Sequence, residues 1–442
     1  MSTLTIGFLL IGALVVLVLL GMRIVFALFS VAFVGVWLIR DNIDLAFRLL
    51  SISAYNGIAD YLFATIPLFV LMGLLVSISN VGRDTFEVAE GLLRRLLGGL
   101  GVATVSANTV FAAVTGVSIA SAAVFTRVAV PEMRRHGYRA GFAAGTVAGS
   151  SVLGMMIPPS LLLIVYGVLA EVSIGRMFIA GVIPGLLLAG GFVGTIMLLA
   201  YFRPGFVFKD PALAEERRLA TDVAGLSARE IVVKLVPIAL LVALVLGGLY
   251  SGFFTPTEAG GVGAFGALAI AIARRSLDRY KLWEVMKQTA TISVSILILL
   301  IAAGFYSRML SVAGLPNAIG DLVRGGGLSP MAFLALYVGI ILLMGMILDS
   351  TSILLIMVPI VAPIAQSLGF DLIHFGIITI LAVEIGLLTP PFGISVFTVH
   401  NTLNDPRVSV EEVFLGTLPY ILVMLSVLVA IALMPGLVLA LL

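Results

Sequence analysis

Four interruptions in otherwise apolar sequence hold the residues of this chain that could do chemistry. They are Thr115-Gly116-Val117-Ser118-Ile119-Ala120-Ser121, Ile157-Pro158-Pro159-Ser160, Leu348-Asp349-Ser350-Thr351-Ser352 and Leu388-Thr389-Pro390-Pro391. A helix that stops at membrane depth leaves carbonyl oxygens without intrahelical partners, and these can ligate a cation such as Na⁺. The helix that resumes beyond the break turns N–H groups and partial positive charge toward an anion. Each feature also has a plain structural reading. Serine and threonine on membrane helices bond to the preceding turn or allow close packing, and a proline pair can simply kink a helix. Three charges lie within or beside these apolar segments. Asp349, central in a long apolar segment, is a functional group unless its tip reaches the far interface and is solvated. Glu384, on the helix before the second proline pair, either ligates a cation or pairs with a neighbouring helix. Arg127 either draws an anion or snorkels toward the cytoplasmic face, and the second reading is favoured.

The four interruptions form two pairs. A shift of 232 positions, the separation of Ser118 from Ser350, also carries Pro131 onto Pro363, Gly137 onto Gly369 and Gly154 onto Gly386. It carries Pro158-Pro159 onto Pro390-Pro391, Ser79 onto Ser311 and Gly82 onto Gly314. A doubled proline recurring at the offset of several other punctuating residues points to an internal duplication. Each copy then holds a polar-tipped hairpin followed by a broken helix.

Of the 442 residues 61% are hydrophobic and 11% charged, and the mean hydropathy is +1.22. Such a chain is an integral membrane protein. Its runs are uniformly apolar rather than alternating, so helices and not a barrel follow. Ser2 to Leu20 lacks a basic flank and a small-residue cleavage site, and is expected to be the first span. The chain has no cysteine, which excludes disulfides and thiol chemistry. A net charge of +2 does not point to nucleic acid. There is no P-loop, no cofactor motif, and no nucleophile paired with a base, so neither ATP-driven nor enzymatic chemistry is expected. The histidines His136, His374 and His400 share no metal-binding spacing.

The expected architecture is an all-α integral membrane protein made of two inverted-topology repeats, each with a re-entrant helical hairpin and a broken transmembrane helix. The first repeat spans 1–202, with scaffold spans, an amphipathic arm at 83–97, a hairpin at 100–133 and a broken helix at 139–170. A polar connection at Arg40 to Arg48 separates its second and third spans. A cytoplasmic linker at 203–234 leads to the second repeat, 235–442, with an arm at 274–287, a hairpin at 330–365 and a broken helix at 372–402. Thr255-Pro256-Thr257-Glu258 reads as a helix start with a capping box. Basic residues flank both ends of the first hairpin, whereas the second has only Arg324 on its approach. By the positive-inside rule the first hairpin opens to the cytoplasm and the second to the opposite side. Five crossings per half invert the second copy, in agreement with the charges, and put both termini outside. Inverted repeats with interrupted helices are a recurring plan of secondary transporters.

Several segments together resemble the large membrane subunit of tripartite ATP-independent periplasmic (TRAP) transporters over nearly the whole chain. They are Thr115 to Ala123, Val130-Pro131-Glu132-Met133 with Gly137-Tyr138, Leu153 to Ser160, Phe254 to Ala259, and Glu384 to Gly393. The resemblance implies an elevator-type Na⁺-coupled symporter in a bacterial inner membrane, importing a small organic acid. It also implies a small four-helix membrane subunit beside this chain and a periplasmic substrate-binding protein that delivers the substrate. Carried onto this sequence, the family's Na⁺-ligating regions fall on Thr115, Gly116, Ser118, Pro158, Ser350, Ser352, Thr389 and Pro390. Substrate contact would fall to Ser118, Ser121, Ser160, Asp349 and Ser350, with Arg127 as the further candidate. No cofactor beyond the coupling ion is implied. The alternative reading is a stand-alone ion-coupled organic-anion carrier that needs no binding protein.

Overall fold

In a computed structural model, residues 2–210, 212 and 226–442 are described, with only the backbone given for 322–324. The sequence-predicted linker at 203–234 therefore falls partly outside the described residues, as does the Arg324 side chain. All named elements are helices, as expected where lipid cannot satisfy backbone polar groups. Seven of these helices are long and apolar enough to cross a bilayer, and the bent pair Ala140–Met156 and Leu161–Leu169 makes an eighth such span.

The chain begins with Thr3–Leu19, Ile24–Arg40 and Ile43–Ala59. The expected polar connection from Arg40 to Arg48 is wrong: it shrinks to Asp41 and Asn42, because the Asn42 side chain accepts the Leu45 N–H at 3.0 Å and starts a helix there. A 3₁₀ turn, Tyr61–Ala64, enters Thr65–Ile78, and the arm helix Val81–Leu93 follows. The first hairpin is Gly99–Thr115 and Ser118–Arg135, and the first broken helix is Ala140–Met156 and Leu161–Leu169. Ile174–Phe202 closes the half.

The second half opens with Ala228–Val242, extended by a π turn through Tyr250, and Pro256–Ala273. Thr255 and Glu258 form the expected capping box: Glu258 Oε2 accepts the Thr255 N–H at 2.8 Å, and Thr255 Oγ1 accepts the Glu258 N–H at 3.3 Å. The sequence-predicted arm at 274–287 is a correction. Arg274 to Asp278 is a turn, Asp278 caps the next helix through the Lys281 N–H, and Arg279–Ala313 then runs unbroken until Gly314 at φ 73°. Of the basic residues of that segment, Arg274 and Arg275 lie in the turn, and Arg279, Lys281 and Lys287 on the first turns of a long span. The helix standing at the shifted position of the first arm is Leu315–Gly325. The second hairpin is Pro330–Gly345 and Ser350–Ser367, the second broken helix Leu372–Leu388 and Ile394–Leu403, and Val410–Leu433 follows.

The shift of 232 now applies to whole elements. It carries Ser118–Arg135 onto Ser350–Ser367 and Ala140–Met156 onto Leu372–Leu388, with both ends matched. The broken helices run antiparallel. The Tyr166 hydroxyl, near the end of the first, donates to the Leu372 carbonyl at the start of the second (2.7 Å). At the other end Arg134, just before the first broken helix, pairs with Asp405, just after the second, at 2.8 Å. Asp405 is also bonded by Arg407, and the two guanidinium groups, Arg407 first, hold its carboxyl well below the usual carboxylate range. The second arm of each broken helix packs on the hairpin of the opposite half: Ile394–Leu403 on Ser118–Arg135, and Leu161–Leu169 on Ser350–Ser367.

Candidate functional site

The first tip and the first break occupy one place. Helix Gly99–Thr115 ends at Gly116, which adopts φ 62° and brings its Cα against the Pro159 carbonyl. A Cβ there would sit 2.6 Å from that oxygen, so only glycine fits. The Gly116 carbonyl in turn accepts the Leu161 N–H at 3.2 Å. Thr115, Ser118, Pro158 and Ser160 are all buried. Ser160 caps its helix and donates to the Met155 carbonyl at 2.5 Å, while Thr115 donates to the Phe111 carbonyl at 3.0 Å. Thr115 thus donates within its own helix and Ser160 donates back across the break, and each hydroxyl oxygen retains acceptor capacity that could serve a cation.

Ser121 is placed differently from its expected role. Its hydroxyl donates to Asn108 Oδ1, and Asn108 Nδ2 donates to Ser150 Oγ at 2.8 Å. This buried chain ties the two hairpin helices to the broken helix. Sequence reasoning missed Asn108 and Ser150, since their partnership spans separate helices. Arg127 is exposed on the hairpin's second helix, and the structure does not bring it to the break.

The second tip shares with the first a buried serine, Ser350 in place of Ser118, but its break has a more open rim. Asp349 caps Ser350–Ser367, accepting the Ser352 N–H at 3.1 Å and also the Ser352 hydroxyl, so its carboxylate closes a helix end. Ser350 is buried and donates to Glu384 Oε1 at 2.9 Å. Glu384 is therefore joined to the hairpin tip, and its other oxygen is buried without a partner among the described residues. Thr389 donates to the Ile385 carbonyl at 2.7 Å. Pro390, Pro391 and Phe392 are exposed, unlike the first break. Both proline pairs are joined by cis peptide bonds.

Close glycine crossings hold the two pieces of this half together: Gly345 and Gly386 meet backbone to backbone between the hairpin and the broken helix. Tyr337 and Thr379 share a hydrogen bond at 3.1 Å across the same pair of helices. Away from the breaks, the structure brings His136 together with Glu90 and Glu132, their ligand atoms within 4.8 Å of one another, a juxtaposition invisible in the histidine spacing. It lies where the arm helix meets the hairpin.

The arrangement offers two sets of interrupted helices, one from each half, each bringing hydroxyls and a helix N-terminus to a break. Comparison with known proteins gives this geometry a family. Residues 11–437 match the family model of the tripartite ATP-independent periplasmic transporter, DctM component. The C4-dicarboxylate TRAP transporter large permease protein DctM of Pseudomonas aeruginosa is 33% identical over 395 residues, which is 89% of this chain and 89% of that one. The sialic acid TRAP transporter large permease protein SiaM of Vibrio cholerae is 29% identical, covering 94% of this chain and 93% of the other. The crystal structure of the Alcanivorax borkumensis YdaH transporter, described as having an unusual topology, shares the fold. Its TM-score is 0.54 at 15% identity, covering 88% of this chain and 89% of that one. The chain is thus a multi-pass helical membrane protein, a transporter permease and not an enzyme, and it belongs to the DctM-component family of large TRAP-transporter permease subunits.

Proposed function

We propose that this chain is the large transmembrane subunit of a Na⁺-coupled importer of a small organic anion of the carboxylate class. It sits in the bacterial inner membrane with both termini on the periplasmic side. A periplasmic binding protein delivers the substrate, and a small four-helix membrane subunit packs beside the chain. The observation that carries the reading is the pairing of each hairpin tip with a break, the first closed by Gly116 against Pro159 and the second joined by Ser350 to Glu384. Na⁺ held at the two pairs closes the hairpins over the substrate carboxylate, and the bundle that contains them moves against the remaining spans as an elevator. The antiparallel broken helices support the inverted topology that alternating access uses. Both named relatives carry acids, C4-dicarboxylates in one and sialic acid in the other, and this supports a carboxylate here.

Ser118→Ala and Thr389→Ala each remove one hydroxyl ligand. Each is expected to raise the half-saturating Na⁺ concentration for uptake about tenfold, the equivalent of about 1.4 kcal/mol of ion binding. Initial rates against Na⁺ in proteoliposomes measure this, and wild-type activation in both variants would remove the hydroxyls from the ion sites. Uptake by the purified chain with and without its neighbouring subunits tests the partnership. Full activity of the lone chain would establish a stand-alone carrier.

A further inference from the structure

A cavity of about 930 Å³ lies away from the breaks, between two scaffold helices and the moving parts. Ile43–Ala59 and the long helix Arg279–Ala313 form one wall, and Leu161–Leu169 and Ser350–Ser367 the other. Arg308 lines it, with Ser53, Asn56, Ser307 and Ser311 as polar neighbours. Among the described residues Arg308 has no ion pair or hydrogen bond, and the buried Ser53 hydroxyl has no partner either. Two carboxylates share the cavity's lining, but Asp60 accepts the Leu62 N–H at 2.9 Å and Glu171 is exposed. Neither pairs with Arg308.

The cavity's place along the helices is informative. Pro359 lines it nine residues beyond Ser350, and Gly167 lines it seven residues beyond Ser160. At 1.5 Å per residue these lie about 13 Å and about 10 Å from the breaks, on the face opposite Asp405. An arginine near the end of an apolar helix can simply snorkel to the headgroups. Here it faces a polar hollow beside the parts that must move. Arg308 is the one basic residue among the cavity's lining, beside the carboxylates of Asp60 and Glu171; an unpaired cation within low-dielectric walls attracts anions locally, and a guanidinium matches a carboxylate in two hydrogen bonds.

We propose that Arg308 is the anion-capturing residue of a vestibule through which a carboxylate-bearing substrate reaches the breaks from the face opposite Asp405. This rests on the importer reading, in which that face is periplasmic.

Because the chain has no cysteine, a single introduced thiol reports alone. Ser307→Cys, with Asn56→Cys as a second reporter, is labelled in right-side-out membrane vesicles with two impermeant methanethiosulfonates, one carrying a sulfonate and one a trimethylammonium. Both thiols should react from outside. Arg308→Gln should lower the sulfonate-to-ammonium rate ratio about tenfold, and Arg308→Lys should retain it. No labelling at either thiol, or a ratio unchanged by Arg308→Gln, overturns the proposal. Na⁺-driven uptake by the parent chain, with its subunits and the acid retained by its binding protein, is measured separately. Uptake without charge-selective labelling removes only the vestibule, whereas charge-selective labelling without uptake removes only the importer reading.

Discussion

Replacing Gly145 by alanine is expected to prevent the first broken helix from docking on the last long helix, and to cost about 3 kcal/mol or more of stability. Gly141, Gly145 and Gly149 form one small-residue face on Ala140–Ser151, at the spacing that lets membrane helices approach closely. The match runs in parallel register along Val410–Leu433. An added Cβ at Gly141 would lie 2.6 Å from the Glu412 carbonyl, at Gly145 2.2 Å from the Gly416 carbonyl carbon, and at Gly149 2.6 Å from the Tyr420 ring. The contact at Gly145 is backbone against backbone, so no flexible side chain can move aside. Thr146 and Tyr420 share a hydrogen bond at 2.7 Å beside it, which separation of the helices would also break. Gly194→Ala is the control, since a Cβ there meets nothing within 4 Å. Monodisperse yield and thermal midpoint in detergent measure both. Equal behaviour of the two variants would show that the crossing is looser than described.

The second large effect is expected at Glu384. Its side chain is fully buried, one oxygen accepting from Ser350 and the other without a partner among the described residues. Removing it by Glu384→Ala leaves a void and an unpaired hydroxyl at the hairpin tip. The cost is about 2–4 kcal/mol of stability, with uptake at least about tenfold lower. Glu384→Gln keeps an acceptor of the same shape and is expected to restore the fold and most of the uptake. The pair separates two roles that the sequence left open. If the glutamine variant folds but is as inactive as alanine, the charge itself is required and Glu384 belongs with the cation ligands. If it recovers, the side chain positions the tip through Ser350. Thermal midpoints and uptake rates of the two variants decide between them.

The positions of the breaks were legible because polar residues and proline pairs stand out within apolar runs, and recurrence at one offset separates them from ordinary kinks. The bounds of Ser118–Arg135 and Ser350–Ser367 follow that offset at both ends. The helix start at Thr255 was legible for a local reason, since a capping box needs only residues three apart. What stayed hidden depends on pairing between segments distant in sequence. Asn108, Ser121 and Ser150 look like separate polar residues until folding aligns three helices. The glycines at 141, 145 and 149 likewise gain meaning only from Gly416 on their partner. The arm at 274–287 was misplaced because charge was read as an interfacial face, when Asp278 starts a helix that carries Arg279, Lys281 and Lys287 into a long span. Leu315–Gly325, with few charges, gave no such signal.

The central claim is that Na⁺ bound at the paired tips and breaks drives an organic anion inward. It is tested most directly by uptake into proteoliposomes holding the complete transporter, with the acid that its binding protein retains on purification. An inward Na⁺ gradient alone should drive accumulation above equilibrium, and replacing Na⁺ by K⁺ or collapsing the gradient with a Na⁺ ionophore should abolish it. Accumulation that persists without Na⁺, or that follows an imposed proton gradient instead, would contradict the account.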